Sequence, residues 1–124
     1  REVSTAGPLP AARAHHAAAY DAAGQRLLVY GGWWGTAYGD ISQHADAQQL
    51  TLPASGTPVW SALPSAEAGG RMAQGAVAAL GEMVVFGGAG TAGEAARADN
   101  LSLTYGTSRA FWRPCATRTP RIAR

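Results

Sequence analysis

The sequence of 124 residues contains no lysine, since all ten of its Lys and Arg positions are arginine. Its formal net charge is only +2, which is too small to indicate a nucleic-acid-binding surface. Cys115 is the single cysteine, so neither an internal disulfide nor a cysteine-rich zinc site is available. No apolar run approaches the roughly 20 residues that a membrane-spanning helix requires. We therefore expect no nucleic-acid or membrane partner and an intracellular location, either in the cytoplasm or in a cytoskeletal or other large assembly.

Large apolar residues are sparse and fall in short clusters, because alanine dominates the apolar fraction of the chain. Short apolar runs alternate with glycine-rich and proline-rich turns, and no amphipathic helix of useful length is present. This pattern predicts an all-β fold.

Four landmarks recur in the same order in two units of the chain. Each unit has an arginine, an apolar run ending in Gly-Gly, an aspartate followed by alternating apolar residues, and a tryptophan. The landmarks of the first unit are Arg13, Gly31, Gly32, Asp46 and Trp60, and those of the second are Arg71, Gly87, Gly88, Asp99 and Trp112. Partners are offset by 52 to 58 residues, which indicates an internal repeat with small differences in loop length.

Each repeat predicts four short strands. The expected strands span residues 16–20, 27–30, 48–52 and 59–63 in the first unit, and 74–80, 83–86, 101–105 and 111–112 in the second. The Gly-Gly pairs are expected to adopt backbone angles, or to allow close packing, that a Cβ atom would prevent.

These landmarks resemble the kelch repeat, with His16 beside Arg13 as in that family and Gln74 replacing the histidine in the second unit. The resemblance implies two four-stranded antiparallel kelch-type blades of an incomplete β-propeller. It also implies that the Gly-Gly strand lines a central channel and that the strand after the arginine lies outermost. The expected divisions are a lead-in over 1–8, repeats over 9–64 and 65–114, and a basic tail over 115–124.

The repeated residues are interpreted as structural. Trp60 and Trp112 should pack between blades, and the guanidinium groups of Arg13 and Arg71 should bind backbone carbonyls or carboxylates. A propeller needs about 4 to 8 blades to close. Two blades therefore predict a piece of a longer propeller, or a ring that other copies or chains complete.

Neither a metal nor a cofactor is expected. His15, His16 and His44 could suggest a metal site, but His15 and His16 are adjacent on a strand and point to opposite faces, so these two cannot easily share one ion. The acidic residues are not placed against one another by spacing, and no nucleophile, phosphate-binding or dinucleotide-binding motif is present. The sequence therefore predicts no catalytic residue.

An aromatic loop follows the first Gly-Gly pair and is longer than its counterpart in the second unit. Aromatic side chains in a surface loop are typical of contact sites, although the same rings could fold back as internal packing. The expected partner-binding residues are Trp33, Trp34, Tyr38, Glu67 and Arg71. The sequence favours a protein-binding or scaffold module. An enzyme on a kelch-type ring, such as a copper-radical oxidase or a sugar epimerase, and a purely structural component of a large complex remain alternatives.

Overall fold

The computed structural model describes residues 2–35, 42–66, 69–90, 96–106 and 109–115. Within these ranges there is no α-helix, and consequently no helix long and apolar enough to cross a membrane. The strands are β1 (Ala17–Asp21), β2 (Arg26–Tyr30), β3 (Trp33–Trp34), β4 (Ser42–Gln43), β5 (Ala47–Thr51), β6 (Val59–Leu63), β7 (Gly75–Ala79), β8 (Glu82–Phe86), β9 (Asn100–Thr104) and β10 (Phe111–Pro114). The predicted all-β fold is confirmed.

The ten strands form three antiparallel sheets, none of which closes on itself. The first sheet has the order β1-β2-β5-β6, and the second has the matching order β7-β8-β9-β10. The third sheet is the two-stranded hairpin of β3 and β4. All eight strands predicted from the sequence are present, whereas the hairpin was not predicted. Its strands are only two residues long, and this is too short for a hydrophobic period to be visible.

Local sequence explains the turns that join the strands. Between β7 and β8 only Leu80 and Gly81 intervene, with φ angles of 53° and 76°. Positive φ at both central residues is the geometry of a type I′ turn, whose twist matches that of a hairpin. Between β1 and β2 the turn is held by the Asp21 carboxylate, which accepts a hydrogen bond of 3.0 Å from the backbone N–H of Gly24.

The core lies where the two four-stranded sheets face each other. Side chains alternate between the two faces of a strand, and Leu28 and Tyr30 of β2 face the second sheet with no exposed surface. From the second sheet Met83 and Val85 of β8 face back, and both are fully buried. When the two repeats are aligned, Leu28 corresponds to Val84 and not to Met83. The buried faces of β2 and β8 are therefore not equivalent faces of the repeat.

The expectation that the Gly-Gly strand lines a central channel, with the strand after the arginine outermost, is wrong. β2 and β8 precede the Gly-Gly pairs, and each has a hydrogen-bonded neighbour on both sides. The edge strands nearest each other are β1 and β7, which follow the arginines and contact one another. The strand after the arginine is thus the one at which the two sheets converge, and the Gly-Gly strand lies second.

The second glycine of each pair is required by both backbone angle and space. Gly32 and Gly88 have φ angles of 93° and 83°. A Cβ atom at Gly32 would lie 2.7 Å from the carbonyl oxygen of Ala14, and one at Gly88 would lie 2.6 Å from that of Met72. These contacts are shorter than side chains tolerate, so the expectation of close packing at Gly-Gly is confirmed.

Candidate functional site

The aromatic residues that follow the first Gly-Gly pair lie on the short hairpin of β3 and β4. Trp33 pairs with Gln43 and Trp34 with Ser42. On its other side Trp33 forms an antiparallel bridge to Ala14, with both backbone hydrogen bonds at 2.9 Å. The hairpin is therefore fixed to the segment that precedes the first sheet, and its orientation does not depend on the indole rings.

The two indoles differ in exposure. Trp34 keeps 53% of its surface exposed, whereas Trp33 is partly buried. The ring centroid of Trp33 lies 6.1 Å from that of His15, with the planes tilted by 51°. Trp34 thus exposes apolar surface, whereas Trp33, whose side chain points to the opposite face of β3, is partly covered.

The second unit also holds this hairpin in place. The Gln43 side-chain amide donates a hydrogen bond to the carbonyl oxygen of Gly90. The backbone N–H of Gly32 donates to the carbonyl oxygen of Arg71 at 2.9 Å, and the N–H of His44 donates to Gly32 at 2.9 Å. Because both units anchor it, the hairpin presents Trp34 on a rigid base.

The second unit builds the same backbone arrangement without aromatic residues. Met72 bridges Ala89, and Ala89 bridges Ala96, just as Ala14 bridges Trp33 and Trp33 pairs with Gln43. Ala89 occupies the position of Trp33 in the repeat, and the next residue is glycine in place of Trp34. The bridges at the position of Trp33 therefore form with alanine, so they do not require an indole at that position.

Arg71 does not belong to an exposed contact surface, contrary to the expectation from sequence. Its side chain is fully buried, and its guanidinium donates to the Asp99 carboxylate at 2.8 Å and to the Gly87 carbonyl oxygen at 3.2 Å. The same contacts recur in the first unit, where the guanidinium of Arg13 donates to Asp46 and to the Gly31 carbonyl oxygen. The expected binding of both arginines to carboxylates and carbonyls is therefore present.

These ion pairs change the acidity of both aspartates. The hydrogen bond from Arg71 lowers the pKa of Asp99 below its ordinary value of 3.8. Burial acts to raise the pKa of Asp46, but hydrogen bonds from Arg13 and Gln48 outweigh it, and the net shift is downward. Both carboxylates consequently stay ionised at neutral pH and serve the fold, which leaves no proton donor at these positions.

The other predicted site and motif residues have distinct surroundings. Tyr38 and Glu67 lie outside the described residues. His16 is exposed, whereas Gln74 at the equivalent position is buried and donates to the Tyr30 carbonyl oxygen at 2.9 Å. Two of the five expected partner-binding residues, Trp33 and Trp34, lie next to each other on β3, with side chains on opposite faces of the strand.

The two repeated tryptophans are only partly buried and differ in their neighbours. The Trp112 ring lies 4.7 Å from that of Tyr30, and its indole N–H donates to the Pro64 carbonyl oxygen. Trp112 therefore packs between the two sheets, as expected. Trp60 lies on the outer face of the first sheet, so no second sheet of the described chain packs against it.

A buried polar cluster joins the two units at the end of the sheets away from the hairpin of β3 and β4, and it was not predicted. The Tyr105 hydroxyl donates to the Asp21 carboxylate at 3.1 Å, and the Arg26 guanidinium lies 5.2 Å from the centre of the Tyr105 ring. Burial, together with the hydrogen bond to Asp21, raises the pKa of Tyr105 to about 12. These contacts fix one unit against the other and expose no reactive group.

The described ranges contain no group of three histidine, cysteine or acidic side chains arranged to hold a metal ion. His44 approaches the Asp46 carboxylate at 3.6 Å, but that carboxylate is already bound by Arg13. The indole of Trp34 is one of the large apolar side chains that the described ranges leave exposed.

Comparisons with known proteins bear on the fold. No protein-family model matches the chain, and no curated protein matches it. Among solved structures, that of YjhT is similar, with a TM-score of 0.63 and 17% sequence identity over 95% of this chain. The chain covers 30% of the length of YjhT. At this identity the likeness concerns the fold alone.

Proposed function

We propose that the chain forms two kelch-type blades of a larger β-propeller and acts as a non-catalytic module that binds another protein. Two matched four-stranded antiparallel sheets support the architecture, as does the repeated binding of Arg13 to Asp46 and of Arg71 to Asp99. The likeness to YjhT extends over nearly the whole chain and agrees with a unit that is part of a longer structure.

The observation that supports binding is the exposed indole of Trp34 on a hairpin whose backbone does not need it. Ala89 occupies the position of Trp33 in the second unit and makes the corresponding bridges to Met72 and Ala96, and Gly90 occupies the position of Trp34. An exposed tryptophan adds apolar surface that water solvates poorly, and a rigid indole loses little conformational entropy when it is buried by a partner. Such aromatic residues form the energetic centre of many protein interfaces.

The test exchanges the hairpin residues for those of the second unit, as Trp33→Ala combined with Trp34→Gly. The variant should fold as the wild type does and should lose partner capture by about 30-fold, which corresponds to roughly 2 kcal/mol on the hot-spot scale. Immobilised wild-type and variant chains are exposed to the same cell extract, and each retained protein is quantified by mass spectrometry.

Phe111→Ala provides the matched control, because Phe111 is also an exposed aromatic residue, at 45%, and lies on β10 far along the chain from the hairpin. A partner that the control retains and the hairpin variant loses supports the proposal. Equal retention by both variants contradicts it, and so does unfolding of the hairpin variant, since the indoles would then be internal packing. Stoichiometric copper in the purified protein would contradict the non-catalytic assignment.

A further inference from the structure

The contact between the two sheets buries the Tyr30 ring in a pocket of the second unit. The Tyr30 hydroxyl donates to the Gly69 carbonyl oxygen at 3.2 Å, and the Trp112 ring lies 4.7 Å from the Tyr30 ring. Gln74 binds the Tyr30 carbonyl oxygen, and Val85 belongs to the same buried cluster. These four residues of the second unit define the surroundings of the tyrosine.

The first unit carries the same four positions on its outer face. By repeat register, Gly69, Gln74, Val85 and Trp112 correspond to Ala11, His16, Val29 and Trp60. All four of the latter line a single open cleft of 310 Å³. The cleft is mainly apolar, and Leu9 and Pro10 extend its wall. The first sheet thus exposes a counterpart of the pocket that holds Tyr30.

The second unit exposes the counterpart of Tyr30 itself. Phe86 occupies the position of Tyr30 in the repeat, and 48% of its surface is exposed. Phe86 points to the face of the second sheet opposite Met83 and Val85, which is turned away from the first sheet. The chain therefore carries an exposed aromatic ring at one end and a matching cleft at the other.

A backbone hydrogen bond between the two units also joins equivalent positions of the repeat. The Ala73 N–H donates to the His15 carbonyl oxygen at 2.8 Å, and these two residues occupy equivalent positions with φ angles of 57° and 54°. The second unit thus donates to the equivalent position of the first. A further unit placed by the same rotation would find the Ala73 carbonyl oxygen in the place of that of His15.

We infer that copies of this chain associate head to tail, with Phe86 of one copy entering the cleft beside Trp60 of the next. This inference rests on the proposed propeller architecture, in which further copies would supply the remaining blades. The partner is a second copy because this chain holds both halves of the contact, and the new interface continues the one already present between its two sheets. Such an interface is heterologous, so each copy uses one surface to bind and the other to be bound.

The contact between copies should be weaker than the contact within the chain. The hydrogen bond between Asp21 and Tyr105 has no equivalent between copies, because Ala79 and Leu52 occupy the corresponding positions. The expected association is therefore reversible and depends on protein concentration.

The experiment measures sedimentation velocity from micromolar to near-millimolar concentrations of the full chain. Wild type should shift from monomer to dimer and larger species. Phe86→Ala removes the ring, and Ala11→Glu places a carboxylate in the cleft at an exposed position. Each variant alone should associate about 30-fold more weakly than wild type, the scale expected for loss of one aromatic anchor.

A mixture of the two variants distinguishes this arrangement from any symmetric one. Phe86→Ala retains an intact cleft and Ala11→Glu retains an intact Phe86, so the mixture should form one dimer per pair and nothing larger. Leu80→Ala serves as the control, because Leu80 is a fully exposed apolar residue that belongs to neither surface. It should associate as wild type does.

Three results would overturn the inference: a wild type that stays monomeric throughout, variants that associate as wild type does, or a mixture that fails to pair. Thermal unfolding of each variant checks that its sheets remain formed. Since Trp33 and Trp34 are unchanged in all of these chains, loss of self-association is separable from loss of partner capture at the hairpin.

Discussion

Asp99→Asn tests the buried ion pair of the second unit, because it removes a charge while keeping the size of the side chain. Arg71 has no exposed surface, and its guanidinium is bound by the Asp99 carboxylate and by the carbonyl oxygens of Gly87 and Asp99. Its Nε atom has no hydrogen-bond partner. Replacing the carboxylate therefore leaves a buried cation with carbonyl acceptors alone.

The expected cost lies between two limits. Removing one partner of a fully buried pair costs roughly 3–5 kcal/mol, whereas an exposed pair contributes about 0–1 kcal/mol. Here the arginine is buried, but 49% of the Asp99 side chain is exposed, so water already weakens the attraction. We expect the free energy of unfolding to fall by about 2 kcal/mol, which lowers the urea midpoint by about 1 M.

Acid sensitivity gives a second readout of the same pair. Since the pKa of Asp99 is lowered in the folded protein, its contribution to stability is present above its ordinary value of 3.8 and is lost as pH falls through the folded value. Wild type should therefore lose more stability than Asp99→Asn when the pH is lowered from about 5 to about 2. Urea denaturation followed by tryptophan fluorescence at several pH values measures both effects.

Asp46→Asn is the matched control within the chain. Arg13 binds Asp46 in the same way, and only 4% of the Arg13 side chain and 29% of the Asp46 side chain are exposed, so the loss of this carboxylate should also cost about 2 kcal/mol. A wild-type urea midpoint in Asp99→Asn, or an unchanged acid profile, would refute this account of Arg71. A loss in Asp46→Asn much smaller than that in Asp99→Asn would show that burial of the arginine does not set the cost.

Three further predictions concern packing, ionisation and backbone geometry. Trp112→Ala should lower the unfolding free energy by about 3 kcal/mol and Trp60→Ala by no more than half as much in urea denaturation, because only the first ring packs between the sheets. Spectrophotometric titration should show Tyr105 ionising with a pKa of about 12. Its contribution to stability should be present below about pH 10 and lost as the pH rises through 12. Asp21→Asn should bring the pKa of Tyr105 closer to 10. Gly88→Ala should cost about 2 kcal/mol in thermal unfolding, since its φ is 83° and the added Cβ would meet a carbonyl oxygen.

Local sequence determined much of the fold. Short β-forming runs such as 83–86 predicted their strands, because neighbouring turn residues limit where a strand can begin and end. The recurrence of Arg13 and Asp46 as Arg71 and Asp99 indicated paired structural roles, since a charge repeated at a fixed register in two units needs the same neutralising partner. The Gly-Gly pairs indicated a tight backbone approach, because only glycine tolerates it.

The candidate site was only partly predictable. The aromatic composition of the loop indicated Trp33 and Trp34 as contact residues, but the same composition gave no means of separating the exposed ring from the partly buried one. Arg71 was assigned to the contact surface as well as to the framework, because sequence position alone does not reveal burial. The carboxylate that binds it belongs to Asp99, which is 28 residues further along the chain.

Only the tertiary structure decided which face of each strand is buried and which elements meet. A continuous apolar run such as Leu27 to Tyr30 gives no period from which to choose a face, and the second sheet supplied that choice by covering Leu28 and Tyr30. Asp21 and Tyr105 are 84 residues apart, and the corresponding positions of the other repeat hold Ala79 and Leu52. No local pattern therefore predicts this contact. The order of strands within each sheet is likewise set by long-range pairing, and this is why the position of the Gly-Gly strand emerged only from the folded chain.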